Sequence, residues 1–454
     1  MDQRFCLIDS ISEKLLQEVE KNTYIDNALY DEHSVKRGLR NKNGTGVLVG
    51  ITNVASVEGY TVENGMKIPA NGKLYYRGIS IEEIINNFQN ENRFGFEEVI
   101  FLLLFGSLPS REDLDEFEKI LGDNRRLNTD FTQDVLLKLP SRNIMNKLQR
   151  AILSMYSYDD NPDDISLENN IIQSLNIISK MPMMIAYSYQ MMKHYFEGKS
   201  LVIHNPQENK STAENMLHLM RRDGSYTDLE AKLLDLCLVV HADHGGGNNS
   251  AFATHVVSST GTDIYSAMAT AIGSLKGPKH GGANHKVETM KDDIMANCRY
   301  NDKAELELYL RKILGRQAFD GKGLIYGMGH AVYTICDPRT TILRKMAQEL
   351  AEDKGAMKEF ELLNNIETIT ARIFKEERDK IISANVDLFS GFVYKILGID
   401  RDLYTPMFAL ARMAGWCAHR LEQIRDDKII RPAYVSNYRN NVYIPIGERK
   451  SVTK

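Results

Sequence analysis

The 454-residue sequence predicts a mainly α-helical protein, and two observations carry that expectation. Apolar residues recur at spacings of three and four through most of the chain, the period of a helix with one buried face. Strand-like runs, rich in β-branched and aromatic residues and bounded by Gly, Pro and Asn, occur only near the N-terminus, at 46–54 and 73–78.

Residues 10–22 read as an amphipathic helix with a serine start, and the two strand-like runs as a minor β-hairpin. Ser80-Ile81-Glu82-Glu83 and Thr227-Asp228-Leu229-Glu230 read as capping boxes, each opening a helix. Further helices are expected near 95–106, 110–122, 143–156, 166–196, 211–222, 262–275, 303–316, 340–353, 357–376, 388–397 and 405–424. No period repeats, which argues against a solenoid. Gly-rich stretches at 245–247, 277–282 and 321–329 are candidate hinges, and a smaller domain would be bounded near 284 and 395.

Composition narrows the function classes. With 43% hydrophobic and 26% charged residues the chain is an ordinary globular protein. A net charge of −5 and a pI near 6.2 argue against general nucleic-acid binding. No apolar run approaches the ~18 residues of a membrane span. Cys6, Cys237, Cys298, Cys336 and Cys417 are scattered, without a Cys-x-x-Cys pair. Together with an N-terminus that reads as neither signal nor transit peptide, they suggest a cytoplasmic protein with reduced thiols and no structural zinc.

Chemistry concentrates in four Gly-rich or capped segments. Gly277-Pro278-Lys279-His280-Gly281-Gly282-Ala283-Asn284 presents His280 on a loop where backbone can approach a ligand closely. His241-Ala242-Asp243-His244-Gly245-Gly246-Gly247 ends the helix opened at Thr227 and carries His244 to the end of its apolar face. A metal site of His241, His244 and His255 ranks below that reading, since zinc helices usually space histidines by four and no cysteine is near. Gly321 to Thr334 holds His330 and continues into Asp337-Pro338-Arg339. Aspartate as N-cap and proline at the first helical position make a helix start, with Arg339 in its first turn. Asp387 precedes an apolar run, which by itself suggests an N-cap. Arg412 lies on an otherwise apolar helix, where a charge must find an anionic partner or leave the core. Arg431-Pro432 closes a turn after Asp426-Asp427-Lys428. Arginines that grip carboxylates, neutral histidines that donate to carbonyl oxygens and an aspartate able to remove an α-proton suit a carbon–carbon bond enzyme acting on carboxylates.

The segments His-x-Asp-His-x-Gly-Gly-Asn, Gly-Pro-x-His-Gly-Gly-Ala-Asn, Gly-x-Gly-His-x-Val…Asp-Pro-Arg and Asn-Val-Asp-x-x-Ser-Gly resemble, in sequence and order, the citrate synthase family. Arg-Gly-Leu-Arg at 37–40, Gly-Thr-Gly-Val at 44–47 and Leu-Tyr-Tyr-Arg-Gly-Ile at 74–79 are similar too, and the likeness spans roughly 35–435. It implies an all-α fold with a large domain (1–284 and 396–454) and a small domain (285–395), and a homodimer that closes on oxaloacetate. It implies condensation of acetyl-CoA with oxaloacetate, with no metal and no cofactor. His280, His330 and Asp387 would be catalytic. His244, Arg339, Arg412 and, across the dimer, Arg431 would bind the substrate carboxylates. Length suggests the dimeric Si-type over the hexameric one. The chain departs from the family at Ser383-Ala384, before Asn385, and at Thr334, where some members place a basic contact to coenzyme A. A 2-methylcitrate synthase acting on propanoyl-CoA is the near rival, because one methylene changes discrimination by only ~1–3 kcal/mol. A citryl-CoA lyase, a His-metal hydrolase and a non-catalytic helical scaffold are the remaining alternatives.

Overall fold

A computed structural model describes residues 13–437 and 442–449. The chain divides into two units, Met1–Leu48 with Arg431–Lys454, and Val49–Ile430. In the first, α1 (Glu13–Thr23) and α2 (Asn27–Glu32) bury no residue. The serine start expected at Ser10 lies outside the described residues. Asp26 caps α2, and Arg37 donates to Asn27 at 2.7 Å.

The second unit opens with a three-stranded antiparallel sheet, β1 (Ala55–Glu63), β2 (Met66–Tyr76) and β3 (Ile79–Ser80). The run at 46–54 is not a strand; the strand begins where that run ends. Asn64-Gly65, with positive φ at both residues, turns β1 into β2 and sets the register at Glu63–Met66. That dipeptide is a hairpin signal which outweighs the apolar run before it.

Helices then follow: α3 (Ile81–Asn90), α4 (Phe96–Phe105), α5 (Arg111–Asp123), α6 (Ile144–Met155), α7 (Leu167–Glu197), α8 (Thr212–Met220) and α9 (Asp228–His241). The capping box at Thr227 forms; at Ser80 it does not, because the hydroxyl donates to Glu82 instead. After these come α10 (Asn249–Ser258), α11 (Ile264–Lys276), α12 (Ala283–Asn297), α13 (Lys303–Leu314), α14 (Pro338–Asp353), α15 (Met357–Arg378), α16 (Asp387–Ile396) and α17 (Tyr404–Asp426). Helices α10 and α12 were not expected. Each starts directly behind a Gly-rich loop, where sequence reading sees a hinge rather than a helix N-terminus. The mainly helical expectation holds: seventeen α-helices and one small sheet lie among the described residues.

Helix α17 is the axis of this unit. Its buried face packs on α4, α7, α9, α10 and α11, and Trp416, Arg412 and Arg420 are among the largest fully buried side chains. Farther along the chain, α16 packs on α12 and α14, and α15 on α13 and α14. A division at 284 would fall inside the first turn of α12, and one at 395 inside α16.

Candidate active site

Arg412 sits at the middle of α17, fully buried. Its Nε donates to the His241 carbonyl at 2.7 Å, its guanidinium lies 4.8 Å from the Phe408 ring centre, and both Nη atoms lack partners. Burial lowers its pKa to about 10, partly opposed by Asp243, so it stays charged at neutral pH. An uncompensated buried cation costs several kcal/mol, and an anionic ligand would relieve that cost.

Arg339, by contrast, is closed. The Asp337 N-cap accepts from its amide at 3.0 Å and takes its guanidinium in a fork, Nε at 3.0 Å and Nη2 at 2.8 Å. Burial opposes the charge, but Asp337 beside it raises the guanidinium pKa. Asp337 also accepts from the Val386 amide at 3.2 Å, tying the start of α14 to the approach of α16.

Two loops present the histidines. Beyond the end of α9, His244 lies edge-on to His330 and Tyr333, at ring separations of 5.1 and 5.5 Å. Its Nε2 is buried without a partner, as is the Tyr333 hydroxyl. Burial and the charge of Arg339 hold His244 well below the usual histidine range, so it is neutral. His330 stacks on Tyr333 at 4.6 Å, and its Nδ1 accepts the amides of Val332 and Tyr333 at 3.0 and 3.1 Å. That fixes the proton on Nε2, which becomes a donor. His280 contacts Ser250 Oγ through Nε2 at 3.0 Å, and Trp416 Nε1 donates to the same oxygen at 3.1 Å. The single Ser250 proton goes to Asn248 Oδ1 or to His280; when it goes to His280, Nδ1 carries that ring's proton and can donate to a ligand. Burial, with Arg412 nearby, lowers the His280 pKa to about 4, leaving a neutral ring.

Asp387 is the first residue of α16, with Val386 as N-cap, so it does not cap the helix. Asn385 Oδ1 accepts its amide at 3.0 Å. Burial lifts its pKa to about 6, against the pull of Arg339 and Arg412 and with a push from Asp337. His330 and Asp387 are positioned by one zipper of backbone. Met328 bridges Ala384, the Gly329 amide donates to Ser383 O at 2.7 Å, and Asn385 Nδ2 donates to Gly329 O at 2.8 Å. A side chain at Gly327 would meet Leu388 at 2.9 Å, and its φ of +82° favours glycine.

The hairpin holds the His330 loop from the other side. A Cβ at Gly59 would meet Val332 O at 2.7 Å, and one at Gly72 would meet Cys336 O at 2.1 Å. Thr334 accepts from the Ala70 amide at 3.2 Å and donates to carbonyls of the hairpin. Its hydroxyl is therefore spent inside the fold. Gly59, Gly72, Ser250, Tyr333, Asp337 and Trp416 were not singled out from the sequence for these contacts. Local sequence pattern does not pair residues tens to hundreds of positions apart, as Ser250 with His280 or Gly72 with Cys336.

His244, His280 and Asp387 all feel Arg412, which brings one part of the sequence-predicted set together; His330 and Arg339 join through Tyr333. Arg431 is exposed and belongs to the other unit. His241, His244 and His255 do not form a metal-binding group among the described residues: His241 spends Nδ1 on the Cys237 carbonyl at 2.7 Å. A separate cleft of about 570 Å³, lined by charged residues including Arg93, Glu118 and Arg125, holds none of the predicted site residues.

Residues 43–433 match the family described as "Citrate synthase, C-terminal domain". The citrate synthase of Deinococcus radiodurans is 36% identical over 84% of this chain and 93% of its own. A protein named 2-methylcitrate synthase 1, from Corynebacterium glutamicum, is 31% identical over 92% of this chain and 99% of its own. The structure of citrate synthase from Thermoplasma acidophilum, in a ternary complex with carboxymethyl coenzyme A and oxaloacetate, superposes with a TM-score of 0.73 at 25% identity, over 91% of this chain and 99% of that one.

Proposed function

The chain belongs to the citrate synthase family, and from that premise we propose how its own residues carry out the condensation of acetyl-CoA with oxaloacetate. The observation that supports the reading best is Arg412, buried with both Nη atoms unpartnered beside a neutral His244 whose Nε2 also lacks a partner. Those groups suit a carboxylate of oxaloacetate. Arg339 adds charge from a fixed position.

Asp387, poised near pH 6, takes a proton from the acetyl methyl group while His280 donates a hydrogen bond to the thioester oxygen. The resulting enol carbon attacks the oxaloacetate ketone. His330 Nε2–H points the donor chemistry that this ketone oxygen needs as it becomes an alkoxide. Water then cleaves the citryl thioester, releasing citrate and coenzyme A. No step calls for a metal or a cofactor. A small domain over the helices α12–α16 would close on the bound substrate and exclude water. Its boundaries fit the loops 277–282 and 397–400 better than 284 and 395, because positions 284 and 395 are helical.

A homodimer in which Arg431 completes the partner's carboxylate site is part of the same proposal. It is supported by apolar residues exposed within the first unit, among them Leu48, Tyr434 and Tyr443 at 96, 94 and 81%. A cytoplasmic location fits a chain in which, among the described residues, no helix is long and apolar enough to cross a membrane.

Thiol release from acetyl-CoA, with and without oxaloacetate and in parallel with propanoyl-CoA, tests the reading. Release that requires oxaloacetate and favours acetyl-CoA is expected. A higher specificity constant for propanoyl-CoA would make the chain a 2-methylcitrate synthase, and no release with either would reject the assigned chemistry.

A further inference from the structure

Neighbouring residues grip the chain between α16 and α17 from two directions. Just past the end of α16, the Leu397 carbonyl accepts from Arg221 Nη2 at 2.8 Å. Asp400 caps the short turn Arg401–Leu403, accepting the Asp402 amide at 3.1 Å. Its Oδ2 also takes Lys193 at 2.6 Å and the Tyr189 hydroxyl at 3.3 Å, both from α7. Thr405, at the start of α17, donates to Gly281 O at 3.2 Å and joins this crossing to the loop 277–282. Because α7 packs on α17, these contacts fix the segment to the helices around Arg412.

Arg401 reaches the other way. Its Nη2 donates to Asp292 at 2.5 Å and lies 3.9 Å from Glu288 Oε2, two residues one turn apart on α12. The Glu288 side chain is fully buried, and its Oε1 has no hydrogen-bond partner. Lys291, equally buried, donates to Glu288 Oε2 at 2.6 Å and also bonds Glu359 on α15. Glu359 in turn accepts from Lys395 on α16, at 2.8 and 2.7 Å. A buried carboxylate is costly unless its charge is matched. Along this chain of contacts Arg401, Lys291 and Lys395 match Asp292, Glu288 and Glu359, and without Arg401 the carboxylates are in excess.

Glu288 is where this network meets the chemistry. A Cβ at Gly391 would stand 3.0 Å from Glu288 Cγ and 3.3 Å from its Oε1, so the side chain packs directly on the backbone of α16. Gly391 lies one turn along α16 from Asp387, on the same face of the helix. We infer that Arg401 is a positioning residue for Asp387: from the crossing between α16 and α17 it holds Asp292 and Glu288, and Glu288 seats the helix that presents the base. The inference rests on the reading of Asp387 as the base that takes the acetyl proton. Asp400 gives Arg401 a fixed footing, since the two are adjacent and Asp400 is held by α7.

The test measures kcat, the oxaloacetate KM, Tm and the primary isotope effect with methyl-deuterated acetyl-CoA, all in the full-length chain. Arg401→Gln should lower kcat by about 10- to 100-fold, as a base displaced by an ångström or less is enough to do so. The oxaloacetate KM should stay within about twofold, because His244 and Arg412 stand outside the network. The isotope effect should grow, since proton removal by a displaced base becomes the slow step. Tm should barely move, because the Arg401 side chain is 37% exposed and such ion pairs add little stability. Arg401→Lys should restore most of the rate, and adding Asp292→Asn to Arg401→Gln should lower kcat no further. With an active wild type, an unchanged kcat or isotope effect in Arg401→Gln overturns the inference and leaves the proposed reaction standing. A kcat loss that comes with unfolding, or that Arg401→Lys does not recover, overturns it as well. A wild-type chain without oxaloacetate-dependent thiol release removes the base assignment and this inference together.

Discussion

Arg339 and Arg412 place the same charge in neighbouring parts of one buried region, yet in opposite states. At the start of α14, Arg339 is locked by a fork to Asp337, which also holds the Val386 amide. In the middle of α17, Arg412 has one backbone partner and two bare Nη atoms. The difference separates structure from function. A closed network fixes the geometry of the loops around it, whereas an open one is completed by a ligand. Predictions that distinguish these two states follow, from the largest effect to the smallest.

Asp387→Asn removes an open group that does chemistry. Turnover should fall by roughly 10²–10⁴, with no loss of thermal stability relative to wild type; His280→Ala should likewise lose turnover without unfolding. A loss of folding comparable to a core truncation would count against both roles.

Asp337→Asn breaks the closed network and strands Arg339. Denaturant melts should show a loss of about 3–5 kcal/mol, and an unchanged midpoint would mean that the fork contributes nothing.

Arg412→Met sharpens the contrast from the other side. It should cost about 2–5 kcal/mol of oxaloacetate binding while leaving stability equal or higher, because an unpaired buried charge disappears. Destabilisation equal to that of Asp337→Asn would erase the distinction drawn here.

The pH dependence follows from Asp387, whose pKa rises from an ordinary 3.8 to about 6. As the base must be ionised, kcat should fall about tenfold per unit below pH 6. For stability the sign is reversed. A carboxyl whose folded pKa is raised contributes stability that is present below the unfolded value and lost as pH rises through 6. Asp387→Asn should therefore gain on wild type between pH 4 and 6, by about 3 kcal/mol at most. A gain confined to pH above 7 would contradict the assignment.

Gly72→Ala should have the smallest effect, about 1–3 kcal/mol, as the hairpin and the Cys336 carbonyl separate to make room. A shift in the His330 loop should raise the oxaloacetate KM more than it lowers thermal stability, and the reverse order would make the hairpin a mere support.

The helices were legible wherever periodicity and a cap coincide. Ser166 opens α7 and Asp337-Pro338 opens α14 as the residue types require. Legibility failed at glycine. The loops before α10 and α12 look like hinges because glycine removes the apolar pattern that marks a helix start. The true hairpin was signalled by Asn64-Gly65, yet the apolar run at 46–54 drew the strand assignment because composition alone cannot say which side of a turn is paired. Arg412 was legible as a problem, a charge on an apolar face, but its solution was not.

By itself the sequence determined the helical class, the family, and which residues carry ionisable or hydrogen-bonding chemistry on Gly-rich loops, since those depend on local spacing and residue type. Tertiary structure alone decided which of them are satisfied. It paired Arg339 with Asp337 and left Arg412 open, fixed the His330 proton on Nε2 through two amides, and turned Arg401 toward Asp292 across 109 positions of sequence. Burial, protonation and pairing are properties of what surrounds a side chain, and those neighbours are assembled only when distant segments pack.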